Sequence, residues 1–524
     1  MNWLFKRLFS LISSYLCICF SGRCGASCTV IDLNRRISVQ PVVEEKTEFK
    51  RSLSLLDSTL IVSGSMIGSG VFIVTADMAR NLGSSGWLLA LWVLTGVLTV
   101  AAALSYGELA GMMPKAGGQY IYIQRAYGHL TGFVYGWTVF TVIQTGTIAA
   151  VAVAFTKYTA VFIPALAPDN VLVALGPITI SAGSLFAIAS LVLLTWLNSR
   201  GVQSGKLIQN VFTSAKLIAL LGLIVVGITI GLSTGLLSTN LTNAWDASTT
   251  SATGDVLPLA GIALLLAFGT SMVGSLFSAD AWNNVTFIAG EIKNPRRNIP
   301  LALFFGTLIV TTIYFLANVS YLSLLPLKGL PTATDIIGRG IQFADADRVA
   351  TAAVSTIFGN VAVAVMAVLI MVSTFGCNNG LILAGARLYY AMAKDGLFLK
   401  QASHLNENAV PGRALWLQCI WASLLCLSGR YGDLLDYCTF ASLCFYIITI
   451  GGLFRLRRLE PNTERPYRAF GYPLVPALYM VAGLTICAIL LYTKTFNTGM
   501  GLLIAGLGIP VYFLTKRGQR EGVQ

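Results

Sequence analysis

The stretch Ser63-Gly-Ser-Met-Ile-Gly-Ser-Gly-Val71 lies in the middle of the first strongly apolar span of this 524-residue chain. Four small residues, Gly64, Gly68, Ser69 and Gly70, fall within seven positions of it. Glycine inside a helix costs about 1 kcal/mol relative to alanine, and irregular backbone at membrane depth persists only where protein or a watery cavity surrounds it. The stretch therefore predicts a helix that breaks in the middle of a membrane.

A broken helix exposes N–H groups at one new end and carbonyl groups at the other. The N–H groups attract a carboxylate, and the carbonyl groups attract an ammonium. An amino acid carries both charges, so such a break predicts a site for a zwitterion. The alternative interpretation is that the small residues only allow neighbouring helices to pack closely.

The composition places the chain in a membrane. Hydrophobic residues make up 55% of it and charged residues 11%, whereas soluble proteins carry about 25% charged residues. Long uncharged runs recur from Leu55 to Phe513. We therefore predict an all-α polytopic protein of the cell membrane, surrounded by the lipid bilayer.

Twelve apolar spans predict twelve transmembrane helices. They lie near 55–78, 87–112, 129–157, 178–198, 208–232, 257–288, 300–325, 355–392, 412–429, 433–454, 473–493 and 497–515. Residues 1–54 are expected to form a disordered cytoplasmic tail, and residues 516–524 a second cytoplasmic tail.

The basic residues indicate the orientation. The net charge is +13, and 27 of the 35 Lys and Arg fall on the side of the two termini, against 7 on the other side. Positive charge marks the cytoplasmic side, so both termini are predicted to be cytoplasmic. Because these charges sit in short loops, we do not expect nucleic-acid binding.

A second break is predicted in the sixth span, at Val273-Gly-Ser-Leu-Phe-Ser-Ala-Asp-Ala-Trp282. Breaks in the first and sixth spans indicate two inverted repeats with a site between them. The repeats would be residues 55–232, with helices 1–5, and residues 257–454, with helices 6–10. Residues 473–515 would form two appended helices.

Catalytic and metal signatures are missing from the sequence. His129 and His404 have no second ligand at a metal-binding spacing. No nucleophile–base pair and no nucleotide-binding loop is visible. We expect no enzyme activity, no cofactor and no metal.

Five motifs, in order and at the corresponding spans, carry a family resemblance. They are Met66-Ile-Gly-Ser-Gly-Val-Phe72, Tyr106-Gly-Glu-Leu109 with Pro114-Lys-Ala-Gly-Gly-Gln-Tyr-Ile-Tyr122, Asn198-Ser-Arg-Gly-Val202 with Gln209-Asn-Val-Phe-Thr-Ser-Ala-Lys-Leu217, Trp282-Asn-Asn-Val-Thr-Phe287 with Glu291-Ile-Lys-Asn-Pro-Arg-Arg-Asn-Ile-Pro300, and Phe375-Gly-Cys-Asn-Asn-Gly380 with Arg387-Leu-Tyr-Tyr390. The chain resembles the amino acid–polyamine–organocation superfamily, in particular its L-type amino acid transporter branch.

This resemblance implies a five-plus-five inverted-repeat fold with the substrate at the two breaks. Backbone N–H groups would bind the substrate carboxylate, and backbone carbonyls its α-ammonium. The N–H groups belong to Gly68, Ser69 and Gly70, and the carbonyls lie near Met66, Ile67, Phe277 and Ser278. Phe277 would also cover the substrate as an outer gate.

Two departures from the branch concern partner and substrate. Members that work with a single-span glycoprotein carry a Cys in the loop after the third span, and residues 158–176 contain none. No disulfide-linked heavy subunit is therefore expected. Ala279 and Asp280 stand where the animal members often have Tyr-Gly, so their side-chain preference does not transfer.

Lys216 is the one basic residue deep within a predicted span. A lysine at the membrane centre costs about 2.5–3.5 kcal/mol. The resemblance places it where sodium-coupled relatives hold a cation, so its ammonium would replace sodium on the carbonyls of the broken helix. Burial also eases proton release from lysine, which predicts a coupling role. The alternative is a fixed structural cation.

Asp280 lies inside the second break and has two interpretations. It binds the substrate amine or a cationic side chain, or it caps the N–H groups of the restarting helix. The strong preference of Asp for N-cap positions favours the cap.

Several charged residues lie at cytoplasmic span ends, where they form either an inner gate of ion pairs or solvated interfacial charges. The gate candidates are Glu108, Glu291 and Arg387, with Arg296, Arg297 and Asp395 nearby.

The sequence thus predicts a sodium-independent secondary transporter of amino acids that works by alternating access, through exchange or proton symport. The alternative is an amino acid sensor on the same fold, in which binding signals without net flux.

Overall fold

The computed structural model describes residues 49–167, 170–175, 178–359, 361–428 and 431–521. Within those ranges, ten helices are long and apolar enough to cross a membrane, or eleven when one bent pair counts as a single span. This confirms the prediction of a polytopic helical membrane protein.

The helices of the first half include the two that flank the first break. Their bounds are α1 Leu55–Met66, α2 Gly70–Leu82, α3 Ser85–Met112, α4 Gln119–Tyr127, α5 His129–Thr159, α6 Ala182–Ser199, α7 Val202–Thr234 and α8 Leu236–Leu241. Helix α5 contains a π-helical segment, Val139–Ile143. Two short antiparallel hairpins join helices, β1 Val171–Leu175 with β2 Ile178–Ser181, and β3 Ser248–Thr250 with β4 Val256–Pro258.

The helices of the second half begin with the two that flank the second break. Their bounds are α9 Gly261–Ser278, α10 Asn284–Phe287, α11 Pro295–Leu324, α12 Ile336–Arg339, α13 Val349–Phe358, α14 Val361–Lys394, α15 Gly412–Ser428, α16 Tyr431–Leu459, α17 Leu474–Thr493 and α18 Thr495–Glu521.

Both predicted breaks are present. Helix α1 starts at a capping box between Ser54 and Asp57 and ends at Met66, and α2 continues after three residues at an angle of 41°. The sixth predicted span stops at Ser278 and resumes for one turn at Asn284. The eighth predicted span, 355–392, is instead two helices, α13 and α14, because Gly359 ends α13 with φ +59°.

Glycines let the broken first helix lie deep among its neighbours. A Cβ at Gly64 would overlap the side chains of Gln209 and Thr213 on α7, and one at Gly306 of α11 would overlap Val62. Helix α1 is therefore enclosed by α7 and α11, and the first break lies in the protein interior.

The structure corrects the expectation that residues 1–54 are disordered throughout. The N–H groups of Ser52 and Leu53 donate to the Glu291 carbonyl at 2.9 and 3.0 Å, and the Lys293 N–H donates to the Leu53 carbonyl at 2.8 Å. The ring of Phe49 packs edge-on against that of Tyr390, 5.0 Å between centroids. Residues 49–54 are thus ordered, whereas the rest of the predicted tail lies outside the described residues.

Candidate substrate site between two broken helices

Lys216 reaches the carbonyl end of the first break. Its ammonium donates to the carbonyls of Gly64 and Ile67, each at 2.6 Å, and lies 3.4 Å from that of Ser373. The side chain is 2% exposed. The cost of burying an ammonium is offset because partial negative charge gathers at a helix C-terminus, where carbonyls lack intrahelical donors.

The remaining carbonyls of this helix end have side-chain donors. The Ser65 carbonyl accepts from the Cys377 thiol at 3.0 Å, and the Ile67 carbonyl also accepts from the Ser373 hydroxyl at 3.1 Å. The Tyr314 hydroxyl lies 3.0 Å from the carbonyl oxygen of Met66. Every carbonyl from position 64 to position 67 thus has a donor from another helix.

Tyr314 on α11 also links the first break to the second. Its hydroxyl lies 3.1 Å from the Ser278 carbonyl oxygen, besides its contact with Met66. A phenol has one proton to donate, so the two carbonyls share it. The predicted ammonium-binding carbonyls of Met66, Ile67 and Ser278 therefore already have protein donors, although a carbonyl has two lone pairs and can accept a second bond.

The N–H end of the first break begins at Gly70. Ser69 is the N-cap of α2, and the Gly68 N–H donates within the break to the Met66 carbonyl at 2.9 Å. A Cβ at Gly70 would overlap the Ser278 hydroxyl and lie 2.8 Å from the Ser278 Cβ. Only glycine lets the two breaks come this close.

The second break contains the buried Asp280. Its carboxylate accepts from the Tyr446 hydroxyl and, at 3.2 Å, from the Ser442 hydroxyl, both on α16. It also accepts from the N–H of Ala281, whose φ of +66° is unusual for a residue with a Cβ. The preferred interpretation, that Asp280 caps the restarting helix, is wrong, because the N-cap residue of α10 is Asn283.

The two breaks face one cavity of about 10 Å³, which has room for a single water molecule. It is lined by the predicted site residues Met66, Gly68, Ser69, Gly70, Phe277, Ser278 and Asp280 together with Ser65, Thr147, Val151, Ala281 and Cys377. Ile67 is absent from this lining because its carbonyl points to Lys216. The structure thus brings the predicted residues together in a closed form.

A polar network next to Asp280 was not predicted. The Asn283 amide donates to Gln119 Oε1 at 2.8 Å, and the Tyr135 hydroxyl donates to the same oxygen at 3.0 Å. Gln119 Nε2 in turn donates to the Thr449 hydroxyl at 2.9 Å. Gln119, Tyr135 and Asn283 line a second small cavity together with Asp280 and Tyr446.

The predicted inner gate divides into two separate clusters. Arg387 on α14 donates to Glu291 at 2.8 Å, and the two side chains are 1% and 0% exposed. Since such a pair is far from solvent, the interpretation as solvated interfacial charges does not apply to it.

Glu108 belongs to the other cluster. Its carboxylate accepts from Arg457 at 2.6 Å and Arg465 at 3.1 Å, and from the Ala469 N–H at 2.7 Å. Glu108 is fully buried and does not pair with Arg387. Through Arg465 and Ala469 it joins the chain segment after α16 to α3. Nearby, hydrogen bonds from Arg125 hold the pKa of Glu460 below its usual range.

Sequence comparisons agree with this geometry. The profile of the amino acid permease family matches residues 53–512 of the chain. The chain belongs to the amino acid permease family.

The permease is similar to several human transporters. The large neutral amino acids transporter small subunit 2 is 30% identical over 472 residues, which cover 89% of this chain and 80% of that protein. The b(0,+)-type amino acid transporter 1 is 29% identical, with 91% and 90% covered, and the cystine/glutamate transporter is 30% identical, with 91% and 87% covered. All three relatives are named as transporters, which agrees with the prediction that the chain is not an enzyme.

One of these names weakens an expectation about partners. A relative called a small subunit works within an assembly, which weighs weakly against the expectation that the permease has no disulfide-linked heavy subunit. What remains of that argument is the lack of Cys in residues 158–176.

Three residues of the permease that hold the breaks were missed from the sequence: Tyr314, Ser373 and Cys377. The available signal was polarity, since a tyrosine or serine buried in an apolar span needs a hydrogen-bond partner. That signal does not identify the partner.

Proposed function

We propose that this chain is a sodium-independent transporter of amino acids that works by alternating access, through exchange or proton symport. The observation that carries the proposal is the ammonium of Lys216 on the carbonyls of Gly64 and Ile67. Broken membrane helices of transporters coordinate cations at their carbonyl ends, and here a covalently attached ammonium would take the place of a bound metal ion.

The substrate is proposed to bind between the two breaks. Its carboxylate binds at the N-terminus of α2, at Gly68, Ser69 and Gly70, which line the cavity, once the Gly68 N–H has left the Met66 carbonyl. Its α-ammonium binds the second lone pairs of carbonyls that already face Tyr314. Phe277, which lines the same cavity, covers the substrate on the outer side.

Asp280 is proposed to face the substrate side chain or amine. It lines the cavity between the breaks, and its side-chain partners are two neutral hydroxyls. An ionisable residue within a membrane span is by default a functional one. A substrate cation could approach this carboxylate without displacing a protein cation.

The closed cavity supports alternating access, because a site with room for one water molecule must open to admit an amino acid. The proposal also includes the number of spans, the inverted repeats and the orientation of the termini. Helix α15, with 17 residues, would complete twelve spans, residues 55–232 and 257–454 would be the inverted repeats, and both termini would face the cytoplasm.

Uptake by the purified chain in liposomes tests the proposal. Radiolabelled leucine and arginine would be supplied with sodium or with choline outside, and with or without a pH gradient or internal amino acid. We expect equal uptake in sodium and in choline, and stimulation by either internal amino acid or the pH gradient. A sodium requirement would contradict the role of Lys216.

The same assay separates transport from sensing. A sensor would bind amino acid, as measured by stabilisation against heat, but would show no accumulation in any of these conditions. Flux above that of empty liposomes excludes the sensor.

A further inference from the structure

A large open cavity lies at the N-terminus of α11, and none of its lining residues belongs to the substrate site. It measures about 870 Å³, within the size range of pockets that bind small molecules. Its lining comes from α3, from the first turns of α11 and from the segment before α17, and consists of Leu104, Arg296, Arg297, Pro300, Leu301, Phe304, Pro466, Tyr467, Arg468 and Phe470.

The walls of this cavity are apolar on the side of the spans. Leu301 is half-buried in its lining, and Phe305 and Leu308, one and two turns further along α11, are 43% and 42% exposed. These three positions follow one face of a helix that is long enough to cross the membrane. An acyl chain can lie along this face from the cavity toward the bilayer centre.

The rim of the cavity is basic. It carries the guanidinium groups of Arg296, Arg297 and Arg468. Arg296 pairs with Glu464 at 3.0 Å, with both side chains more than half exposed, and such a surface pair contributes little. In the part of the chain that the structure describes, no carboxylate lies within ion-pair distance of Arg297 or Arg468.

The cavity also lies where lipid headgroups would be. Both α11 and α17 are membrane-span candidates, and the cavity is at the beginning of each, at Pro295 and Leu474. By the distribution of Lys and Arg this is the cytoplasmic side, whose leaflet carries anionic lipid. A guanidinium binds phosphate through paired hydrogen bonds. The apolar walls of the cavity can pack against the hydrocarbon of an acyl chain.

We propose that this cavity is a binding site for an anionic phospholipid, with the phosphate among Arg296, Arg297 and Arg468 and an acyl chain along Leu301, Phe305 and Leu308. The site also includes Tyr467, which belongs to the segment that Glu108 binds. The Tyr467 ring packs on Gly107 of α3, where a Cβ would lie 3.0 Å from the ring. The bound lipid would therefore pack between α11 and that segment.

Lipid binding to the purified full chain tests the proposal without any transport measurement. Phosphatidylglycerol and phosphatidylcholine with identical acyl chains would be titrated in detergent, and retained lipid counted by native mass spectrometry. We expect phosphatidylglycerol to bind more tightly. The double variant Arg297→Gln/Arg468→Gln should weaken it about 30-fold, since each basic group contributes about 1 kcal/mol near an anionic lipid.

A matched control removes the same charge elsewhere on that side. Lys400→Gln/Arg413→Gln replaces two exposed basic residues that do not line the cavity and should keep the affinity within about two-fold. Leu301→Trp should narrow the cavity and reduce lipid binding with no change of charge.

Three outcomes would overturn the proposal: equal binding of the two lipids, equal loss in the control double variant, or full competition by inorganic phosphate, which would indicate a site for a free anion. Loss of uptake with lipid binding intact would instead bear on the proposed transport function.

Discussion

The two breaks of this permease differ in where their charge comes from. At the first break, the ammonium comes from α7 and holds the carbonyl end of α1 from outside the broken helix. At the second break, the carboxylate of Asp280 belongs to the unwound segment itself and is held by hydroxyls of α16. The first break thus binds a charged side chain from another helix, whereas the second break contributes its own carboxylate, whose side-chain partners are neutral.

This difference indicates that the first break is held in place by its partners, whereas the partners of the second break can be exchanged for a ligand. Without Lys216 the Gly64 carbonyl would have no donor and the Ile67 carbonyl would keep only the Ser373 hydroxyl. An unsatisfied buried carbonyl costs about 1–3 kcal/mol. The hydroxyls around Asp280 can rotate to other acceptors. A ligand can therefore exchange with the partners of Asp280 more easily than with those of Lys216.

The largest effect is expected from Lys216→Met, which keeps the volume but removes the cation. The buried Gly64 carbonyl loses its donor and the Ile67 carbonyl keeps only the Ser373 hydroxyl, so uptake in liposomes should fall about 100-fold, as expected for roughly 3 kcal/mol. Lys216→Arg keeps the charge but does not release a proton easily. Full uptake by Lys216→Arg would rule out a proton-carrying role, and full uptake by Lys216→Met would remove the contrast between the breaks.

An intermediate effect is expected from Tyr314→Phe, which removes the hydroxyl between the Met66 and Ser278 carbonyls. The Met66 carbonyl keeps the Gly68 N–H, so the expected loss is about 1–1.5 kcal/mol and uptake should fall about ten-fold. The matched control is Tyr321→Phe, whose hydroxyl lies a longer 3.4 Å from the Val71 carbonyl. Equal losses in the two variants would show that the link between the breaks has no special role.

The smallest general effect is expected from Asp280→Asn, because an amide keeps the hydrogen bonds with Ser442 and Tyr446. Leucine uptake should stay within about three-fold, whereas arginine uptake should fall at least ten-fold if the carboxylate meets a substrate cation. Competition between labelled leucine and unlabelled arginine measures this selectivity. An equal reduction for both amino acids would assign Asp280 a structural role.

The first break could be predicted from the sequence because its signal is local. Glycines cluster inside an apolar span, and Lys216 lies at a depth that only a polar partner explains. Tyr314 could not be predicted as the link, since it is 248 residues from Met66 and its position depends on how α11 packs. Glu108 was placed at a span end correctly, but its partner Arg457 is 349 residues away.

The number and bounds of the helices show the same limit. Hydropathy located the apolar runs, yet the division of 355–392 into two helices depends on one glycine with positive φ. The order in residues 49–54 was missed because their partners lie beyond the second break. A short segment gives no local sign of such a pairing.

The pairing of Ser52 and Leu53 with Glu291 and Lys293 has a consequence for the timing of any transport cycle. It joins the chain before the first break to the chain after the second through three backbone hydrogen bonds. Any movement that separates these segments must break all three, at about 0.5–1.5 kcal/mol each. In the proposed alternating-access cycle, this pairing would therefore lengthen the lifetime of the closed form, and its backbone hydrogen bonds involve no group of the substrate.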